Sequence, residues 1–499
     1  MRTRWISAGA GALAFGVVLV LFRAEPIIAS DQGVFLSVAA RVLDGDRLYA
    51  EVIENKDPLF FYTYAAGLWI AGWRGAYLLD GVWLGIAALS FALLLRELRV
   101  PRSAVVAGFL VYPLALTSGW YVAGHAMLAG LAFAPLAAWL WLRGNFAASG
   151  AVLGTVMLFK LHVAAVAAAP LCAFVLLGAP DGLRSRPVVR AGFGLAATLA
   201  VAALVLAVRG ELRAYLDVIT YNVYYSSALV EDLGPLGRAE AHLDVVTGYF
   251  KGSGRWQFPA AILVLGAFSV AAVYLARKHR ASRERLLAVT AAVTLVLTLG
   301  TLVLTAYWFH HLQMLAYPAA LIAATLISVV AIMLGQRAGA VAAAACVVFA
   351  LWSSAKNEDR LAISSGWTSD EVSATAGALE EARARLPDPT ERVRYMVFGG
   401  NSENAHAVFL EDGFDLVCRW FFLFPHSLDA QLEETTECSR RERPELILVT
   451  LGFYDRVPQA PEWEAFVASA RQLLEDRYEL VVTAHPGFEV WKRKTPVEA

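Results

Sequence analysis

The sequence predicts a polytopic α-helical membrane protein with a small α/β domain at its C-terminal end. Hydrophobic residues make up 58% of the 499 positions and charged residues only 17%, with a mean hydropathy of +0.55, which is too apolar for a water-soluble domain. The apolar residues are gathered into runs close to the ~20 residues that span a hydrocarbon core. After residue 355 the composition becomes charged and mixed. The net charge of -1 argues against a nucleic-acid partner.

Eleven membrane-spanning helices are predicted from these runs. The first follows Arg2 and Arg4, and we interpret it as an uncleaved anchor because no small-residue cleavage site follows it. The predicted spans are approximately residues 5–23, 76–95, 103–119, 123–142, 147–160, 162–177, 188–208, 257–276, 286–306, 312–334 and 338–355. An odd number of crossings puts the two ends of the chain on opposite sides of the membrane.

Short loops rich in Lys and Arg predict the orientation. Three loops qualify, at residues 96–102, 178–190 and 277–285. All three face the cytoplasm only if residues 147–177 cross twice, as a hairpin that turns near Lys160, Leu161 and His162. The N-terminus is then cytoplasmic and the C-terminal domain extracytoplasmic, which predicts a multi-pass protein of the inner (plasma) membrane.

Two domains follow from this topology, a membrane domain at residues 1–355 and an extracytoplasmic α/β domain at residues 356–499. In the membrane domain the exterior loops 24–75 and 210–257 are long, and long loops often carry function. The second of them is rich in tyrosine, which suits sugar stacking, a lid or interfacial anchoring. The tail is predicted to contain a helix at 368–386, strands at 395–398 and 446–450, a helix at 462–476, and strands at 480–483 and 489–492.

The four cysteines divide between the two domains. Cys418 and Cys438 lie 20 positions apart in the tail, and an exported domain can join such a pair in a disulfide. Two buried free thiols are the alternative, and the sequence leaves both open. Cys172 and Cys346 lie in predicted spans, where packing explains them.

The most unusual stretch of the sequence is the first exterior loop. Residues 31–43 and 59–70 are each predicted to form a short interfacial helix, the second opened by Pro58 at its first turn. Asp31 therefore sits where the first span meets the exterior. Its carboxylate either points into a cavity between helices or caps the helix that follows, and position alone does not separate these roles.

A resemblance to a known class of enzymes appears in the order of several motifs. An Asp (Asp31) follows the first span, then an A-x-x-L-x-G-x-x-x-Y pattern, then an Asn-Lys-x-Pro-Leu segment, then a G-x-x-x-G-x-x-x-x-x-K pattern in the hairpin, and then a late exterior turn with aromatics and histidines. The matching positions are Ala40, Leu43, Gly45 and Tyr49; Asn55, Lys56, Asp57, Pro58 and Leu59; Gly150, Gly154 and Lys160; and Tyr307, Trp308, His310 and His311. This order resembles membrane glycosyltransferases of the GT-C class, and within it the protein mannosyltransferase-like and lipid A aminoarabinose transferase-like family. The resemblance covers most of residues 1–355, and the tail matches only in its placement.

The resemblance implies that the chain takes a sugar from a polyprenyl phosphate on the outer side of the membrane. Asp31 corresponds to the general base that deprotonates the acceptor hydroxyl, and Lys56 to the cation that neutralises the leaving phosphate. The chain departs from the common Lys-Pro-Pro of the family by carrying Asp57 after the lysine. Pairing of Lys56 with Glu54 or Asp57 at the surface is therefore an alternative to the phosphate role.

Further candidates lie in the hairpin and in the late turn. Lys160, His310 and His311 are predicted to contact the donor phosphate; snorkelling of Lys160 to the interface is the alternative for the lysine. Weaker substrate-contacting candidates are Tyr49, Glu54, Asp57, His162, Tyr224 and Tyr307. An aromatic belt would also explain Tyr307, and interfacial anchoring would also explain Tyr224. No cofactor is predicted. Some relatives use a divalent cation, but no paired acidic motif of convincing spacing appears, so metal independence is favoured.

The predicted function is that of an inverting GT-C glycosyltransferase with a polyprenyl-phosphate-linked donor and a glycan, lipid or protein acceptor in the envelope. No P-loop, dinucleotide-binding fingerprint or nucleophile elbow occurs in a suitable context, which agrees with a lipid-linked donor. The alternative is a transporter of a lipid-linked substrate or a non-catalytic partner in envelope assembly. Neither the sugar nor the acceptor follows from the sequence.

Overall fold

Helices dominate the first 355 residues, and a five-stranded sheet lies in the C-terminal part. The computed structural model describes residues 2–21, 31–117, 126–178, 185–228, 237, 240, 283–304, 309–355, 369–388, 392–398, 413–420, 429–450, 461–484 and 488–494. The predicted fold class is confirmed, and the chain is a multi-pass membrane protein.

The helices of the first part coincide with the predicted spans and interfacial segments. They are α1 (Arg2–Leu21), α2 (Asp31–Asp44), α3 (Pro58–Ala71), α4 (Gly75–Glu97), α5 (Arg102–Leu116), α6 (Ala126–Leu142), α7 (Phe146–Phe159), α8 (Val163–Gly178), α9 (Ser185–Val208), α10 (Leu212–Ala228), α11 (Arg283–Leu304), α12 (Ala316–Leu334) and α13 (Gln336–Ala355), with 3-10 helices at Gly72–Arg74 and Phe309–Leu315. Ten of the eleven predicted spans match described helices, and the span at 257–276 lies outside the described residues.

Five helical stretches of the described chain are long and apolar enough to cross a membrane by themselves. They are Leu78–Glu97, Arg186–Val208, Leu286–Val303, His311–Leu334 and Gln336–Ser354. The helices α5 to α8 are apolar but shorter. Short helices suit positions inside the bundle, where neighbouring protein covers them, and most of α6 is buried in this way.

The predicted hairpin is present between α7 and α8. Helix α7 ends at Phe159, Lys160 adopts an extended backbone with φ -161° and ψ 108°, and α8 begins at Val163. The turn therefore comprises Lys160, Leu161 and His162, as the charge pattern of the loops predicted.

Helix α7 packs closely against α9 through glycine. A Cβ atom at position 150 would lie 1.8 Å from the carbonyl oxygen of Ala191, and one at position 194 would lie 1.9 Å from the carbonyl oxygen of Ala147. Small residues allow helix backbones to approach in this way in membranes. Gly150 and Gly154, singled out in the sequence as part of the hairpin pattern, thus pack α7 on α9, and the Lys160 turn lies at the end of the packed helix.

The tail is a mixed α/β domain. Its elements are helix α14 (Ser369–Ala384), strands β1 (Val393–Phe398) and β2 (Phe414–Leu416), helix α15 (Asp429–Glu442), strand β3 (Leu446–Thr450), helix α16 (Pro461–Arg477) and strands β4 (Tyr478–Ala484) and β5 (Phe488–Arg493). The strand order is β2-β1-β3-β5-β4; β1 pairs in parallel with β2 and β3, and β5 pairs antiparallel with β3 and β4. Four strands and two helices were predicted; β2 and α15 were not. A disulfide joins Cys418 to Cys438, with 6.0 Å between their Cα atoms.

The tail contacts the first long loop of the membrane domain directly. The amide of Ile53 donates a hydrogen bond to the carbonyl of Arg419 at 2.8 Å, and Ile53 forms a parallel bridge with Trp420. The guanidinium of Arg41 on α2 donates to the carbonyl of Cys418 at 3.2 Å, and that of Arg419 donates to the carbonyl of Tyr49 at 3.3 Å. One buried apolar cluster also joins α2, α3 and the loop to one face of the tail sheet. The loop is thus held between the membrane helices and the tail.

Candidate functional site

Residues 54–57, which include the predicted Lys56 and are called the lysine segment below, fold against the side chain of Tyr49. Tyr49 has a left-handed backbone (φ 66°), its amide donates to the carbonyl of Val52 at 2.6 Å, and its ring is fully buried. The Tyr49 hydroxyl donates to the backbone carbonyl of Lys56 at 2.7 Å. Burial raises the pKa of Tyr49 well above its usual value, so the hydroxyl remains a donor. Tyr49 therefore supports the lysine segment from inside.

Lys56 is held by several groups at once. Its ammonium lies 2.6 Å from Asn55 Oδ1 and 3.1 Å from Glu54 Oε1, and its backbone amide donates to Glu54 Oε2 at 2.8 Å. The ammonium also lies 5.0 Å from the centroid of the Phe35 ring. The pairing with Glu54 that the sequence left open is thus present. It is buried, since Glu54 and Lys56 are only 5% and 8% exposed, so this cation has a fixed position.

Asp57 joins two other parts of the structure. Its Oδ2 accepts a hydrogen bond from the backbone amide of Leu161 at 2.9 Å, and its Oδ1 accepts one from the hydroxyl of Tyr215 at 2.8 Å. Burial raises the pKa of Asp57, and the two hydrogen bonds and the neighbouring charges of Lys160 and Lys56 oppose that rise. The same side chain therefore links the first loop, the α7–α8 turn and α10.

Two histidines meet at the α7–α8 turn. The rings of His162, in the turn, and His311, in the 3-10 helix Phe309–Leu315, have centroids 4.8 Å apart. His311 is 5% exposed, and the buried Nε2 of His162 has no hydrogen-bond partner among the described residues. The amide of Leu161, which lies between Lys160 and His162 in the chain, donates to the carboxylate of Asp57, the residue next to Lys56. The predicted cations of the loop and the hairpin and a predicted histidine of the late turn thus converge, although they lie far apart in the chain.

Asp31 is the first residue of α2. Phe35 follows one helical turn later and contacts the Lys56 ammonium through its ring. Because residues four apart share one face of a helix, positions 31 and 35 lie on the same side of α2. The start of α2 therefore lies next to the lysine segment.

The remaining predicted candidates are His310, Tyr224 and Tyr307. His310 precedes His311 in the 3-10 helix, and Tyr224 lies in the last turns of α10. Tyr307, and Trp308 beside it, lie outside the described residues. Within the described ranges, no group of three or more His, Cys, Asp or Glu side chains is arranged to hold a metal ion.

Helix α10 contributes residues that were not predicted, because the sequence around it was interpreted as loop. Asn222 donates to the backbone carbonyl of Asn55 at 2.9 Å, and Tyr215 binds Asp57. The fully buried Glu211, just before the helix, accepts hydrogen bonds from the Leu48 amide and from two side chains, the Arg209 guanidinium and the Tyr62 hydroxyl. Positions 211, 215, 218 and 222 are spaced four, three and four apart, the spacing of one helix face. This stripe is the sequence signal that indicates the helix.

The fold can be compared with those of solved structures. ArnT from Cupriavidus metallidurans bound to undecaprenyl phosphate superposes with a TM-score of 0.54 over 99% of this chain and 99% of that chain, at 13% identity. ArnT is a GT-C glycosyltransferase. The chain has the GT-C fold.

A second solved structure is similar over most of this chain. The archaeal oligosaccharyltransferase AglB from Archaeoglobus fulgidus, in complex with an inhibitory peptide and a dolichol-phosphate, gives a TM-score of 0.49 over 98% of this chain and 75% of that chain, at 13% identity. No protein-family model matches the sequence, and no curated protein sequence matches it. The likeness to ArnT is a likeness of fold.

Proposed function

We propose that the chain is a GT-C glycosyltransferase that moves a sugar from a polyprenyl-phosphate carrier to a hydroxyl acceptor at the outer face of the membrane. The observation that carries the proposal is a cluster of basic residues beside the start of α2. Asp57 joins the Lys56 segment to the Lys160 turn, where His162 contacts His311. Within the GT-C fold, such a cluster offers a site for an anionic group at the end of a hydrophobic chain.

The donor phosphate is the group that this cluster would bind. Lys56 is fixed by its buried contacts with Glu54 and Asn55, so it needs little reorganisation to meet an anion. Lys160, in the hairpin turn, supplies a second ammonium, and His311 approaches from the 3-10 helix; His310 is its neighbour in the chain. The polyprenyl chain would then lie along the apolar helices, in the bilayer.

The reaction that fits these groups is a direct displacement at the anomeric carbon. Asp31 acts as general base and takes the proton of the acceptor hydroxyl, an effect worth about 10² to 10⁴ in rate. The acceptor oxygen forms the new bond as the bond from the anomeric carbon to the phosphate oxygen breaks, and the polyprenyl phosphate leaves with both electrons. The cations stabilise the charge that grows on the phosphate. A single displacement inverts the configuration of the sugar.

The acceptor is a glycan, lipid or protein of the envelope, and the tail would shape its entrance. This orientation follows from the positive-inside pattern of the loops, which puts α2, the first loop and the tail on the outer side of the inner membrane. The Cys418–Cys438 disulfide supports the assignment, because such bonds persist in oxidising compartments.

The proposal is tested by transfer of radiolabelled sugar from a panel of polyprenyl-phosphate sugars to membrane extract. We expect transfer from one donor, and loss of at least about 100-fold in Asp31→Asn, the lower end of the range for a general base. Asp44→Asn is the matched control, since Asp44 is an exposed carboxylate at the far end of the same helix. Full turnover in a folded Asp31→Asn variant would refute the general-base role of Asp31. If the folded wild type transfers from no donor, the proposal is wrong, and a transporter or an assembly partner becomes the better interpretation.

A further inference from the structure

Among the described contacts, the carboxylate of Asp57 accepts hydrogen bonds from outside the lysine segment, whereas that of Glu54 binds Lys56 within it. Its two oxygens bind the Leu161 amide and the Tyr215 hydroxyl, which belong to the α7–α8 turn and to α10. Asp57 is 8% exposed, and its backbone opens α3 without a side-chain cap bond. Its carboxylate therefore binds other parts of the structure and does not cap its own helix.

We propose that Asp57 is a positioning residue for the donor phosphate. It holds the hairpin turn against the first loop, so that Lys160 and Lys56 face one anion together. The amide that it binds belongs to Leu161, the residue next to Lys160, and Asp57 itself is the residue next to Lys56. One carboxylate therefore sets the separation of two cations that lie 104 positions apart in the chain. This inference rests on the function proposed above.

Tyr215 contributes to the same positioning. Its ring packs on Tyr49 with centroids 5.2 Å apart, and Tyr49 in turn binds the backbone of Lys56. The hydroxyl of Tyr215 fixes the carboxylate of Asp57 from the side of α10. Loss of that hydroxyl would leave the rings in place and release one oxygen of Asp57.

The sign of the effect on anion binding separates positioning from simple electrostatics. A carboxylate near two ammonium groups repels an incoming phosphate, so removing its charge would tighten binding if charge were its whole influence. If Asp57 instead holds the cations in place, its removal weakens binding, because the two ammonium groups no longer converge. Tyr215→Phe changes no charge and so reports on positioning alone.

The test measures binding of undecaprenyl phosphate itself to the full chain in lipid nanodiscs. We expect Asp57→Asn to weaken binding about tenfold and Tyr215→Phe about fivefold, as for lost hydrogen bonds to a charged group. Asp217→Asn, which removes an exposed carboxylate on the same helix as Tyr215, should leave binding unchanged. If Asp57→Asn fails to fold, Tyr215→Phe carries the test.

A double-mutant cycle with Lys160→Ala shows whether Asp57 acts through the hairpin turn. Once Lys160 is removed, we expect Asp57→Asn to weaken binding by less than about twofold further, because the cation that it positions is gone. Tighter or unchanged binding in both Asp57→Asn and Tyr215→Phe, or full additivity with Lys160→Ala, would overturn the positioning role. Absence of any binding to the folded wild type would instead count against the proposed function, so the two failures are distinguishable.

Discussion

The glycine contact between α7 and α9 supports a quantitative prediction about the hairpin. In Gly150→Ala the new Cβ would start 1.8 Å from the carbonyl oxygen of Ala191, whereas Cβ atoms are essentially never found closer than 3.0 Å. The two helices must therefore separate by about 1.2 Å at the crossing. Because the clash is with backbone, no rotamer change relieves it.

The expected cost follows from two opposing effects. Overpacking of this kind costs about 3 kcal/mol, at the upper end of its usual range, since only a movement of the helix removes it. Alanine regains about 1 kcal/mol over glycine in helix propensity. The net loss is about 2 kcal/mol, and the displaced end of α7 carries the Lys160 turn away from Asp57.

Thermal unfolding in detergent, followed by tryptophan fluorescence, measures the change. Gly192→Ala is the matched control, because a Cβ at position 192 on α9 meets nothing within 4 Å. We expect Gly192→Ala to melt at or above the wild-type temperature, and Gly150→Ala to melt several degrees below it with weaker binding of undecaprenyl phosphate. Equal melting temperatures for the two variants would refute the close-contact argument.

Variants at three further sites test other contacts. Glu211→Ala should cost about 3 to 5 kcal/mol of folding free energy, because it removes a buried carboxylate and leaves its hydrogen-bond donors without their partner. Its melting temperature should fall, and that of Glu211→Gln should fall less. Replacing Cys418 and Cys438 by serine should cost about 3 kcal/mol and make the tail more sensitive to proteolysis, and an unchanged cleavage rate would contradict this. Ser149→Ala loses one buried hydrogen bond to the carbonyl of Ala137 at 2.8 Å and should cost only about 0.6 kcal/mol; a loss of several kcal/mol would mean that α6 and α7 repack.

The transmembrane part was predictable because it obeys simple rules. The hairpin was found without any local signal at Lys160, since the positive loops on either side required two crossings there. The interfacial helices followed from the spacing of apolar residues and from Pro58 at a first helical turn. These features depend on the sequence near each element and on the membrane, and not on which parts of the chain meet.

The elements that were not predicted either depend on tertiary contacts or are too short or too polar to give a recognisable sequence pattern. Helix α10 is rich in tyrosine and was interpreted as loop, because the stripe that faces the first loop is mostly polar: Glu211, Tyr215 and Asn222 bind groups of that loop. Strand β2 is only three residues long. Helix α15 is strongly polar, so it lacks the apolar periodicity that indicates a helix.

In the candidate site, too, individual residues could be predicted from the sequence, but their tertiary contacts could not. Lys56, Lys160 and His311 were singled out individually from the sequence, but only the structure brings them close together. The role of Asp57 was not foreseeable, since its partners lie 104 and 158 positions away. The general-base role of Asp31 stays a prediction, supported by the position of the residue at the start of α2.

The docking of the tail on the first loop has a consequence for how the protein is made. The hydrogen bond between Arg41 and Cys418 joins residues 377 positions apart, and that between Arg419 and Tyr49 spans 370. The first loop is synthesised before helices α4 to α13, and its partners in the tail emerge from the ribosome after them. The lysine segment therefore acquires its final support after all the described membrane helices have been synthesised, which makes its completion a late step in biogenesis.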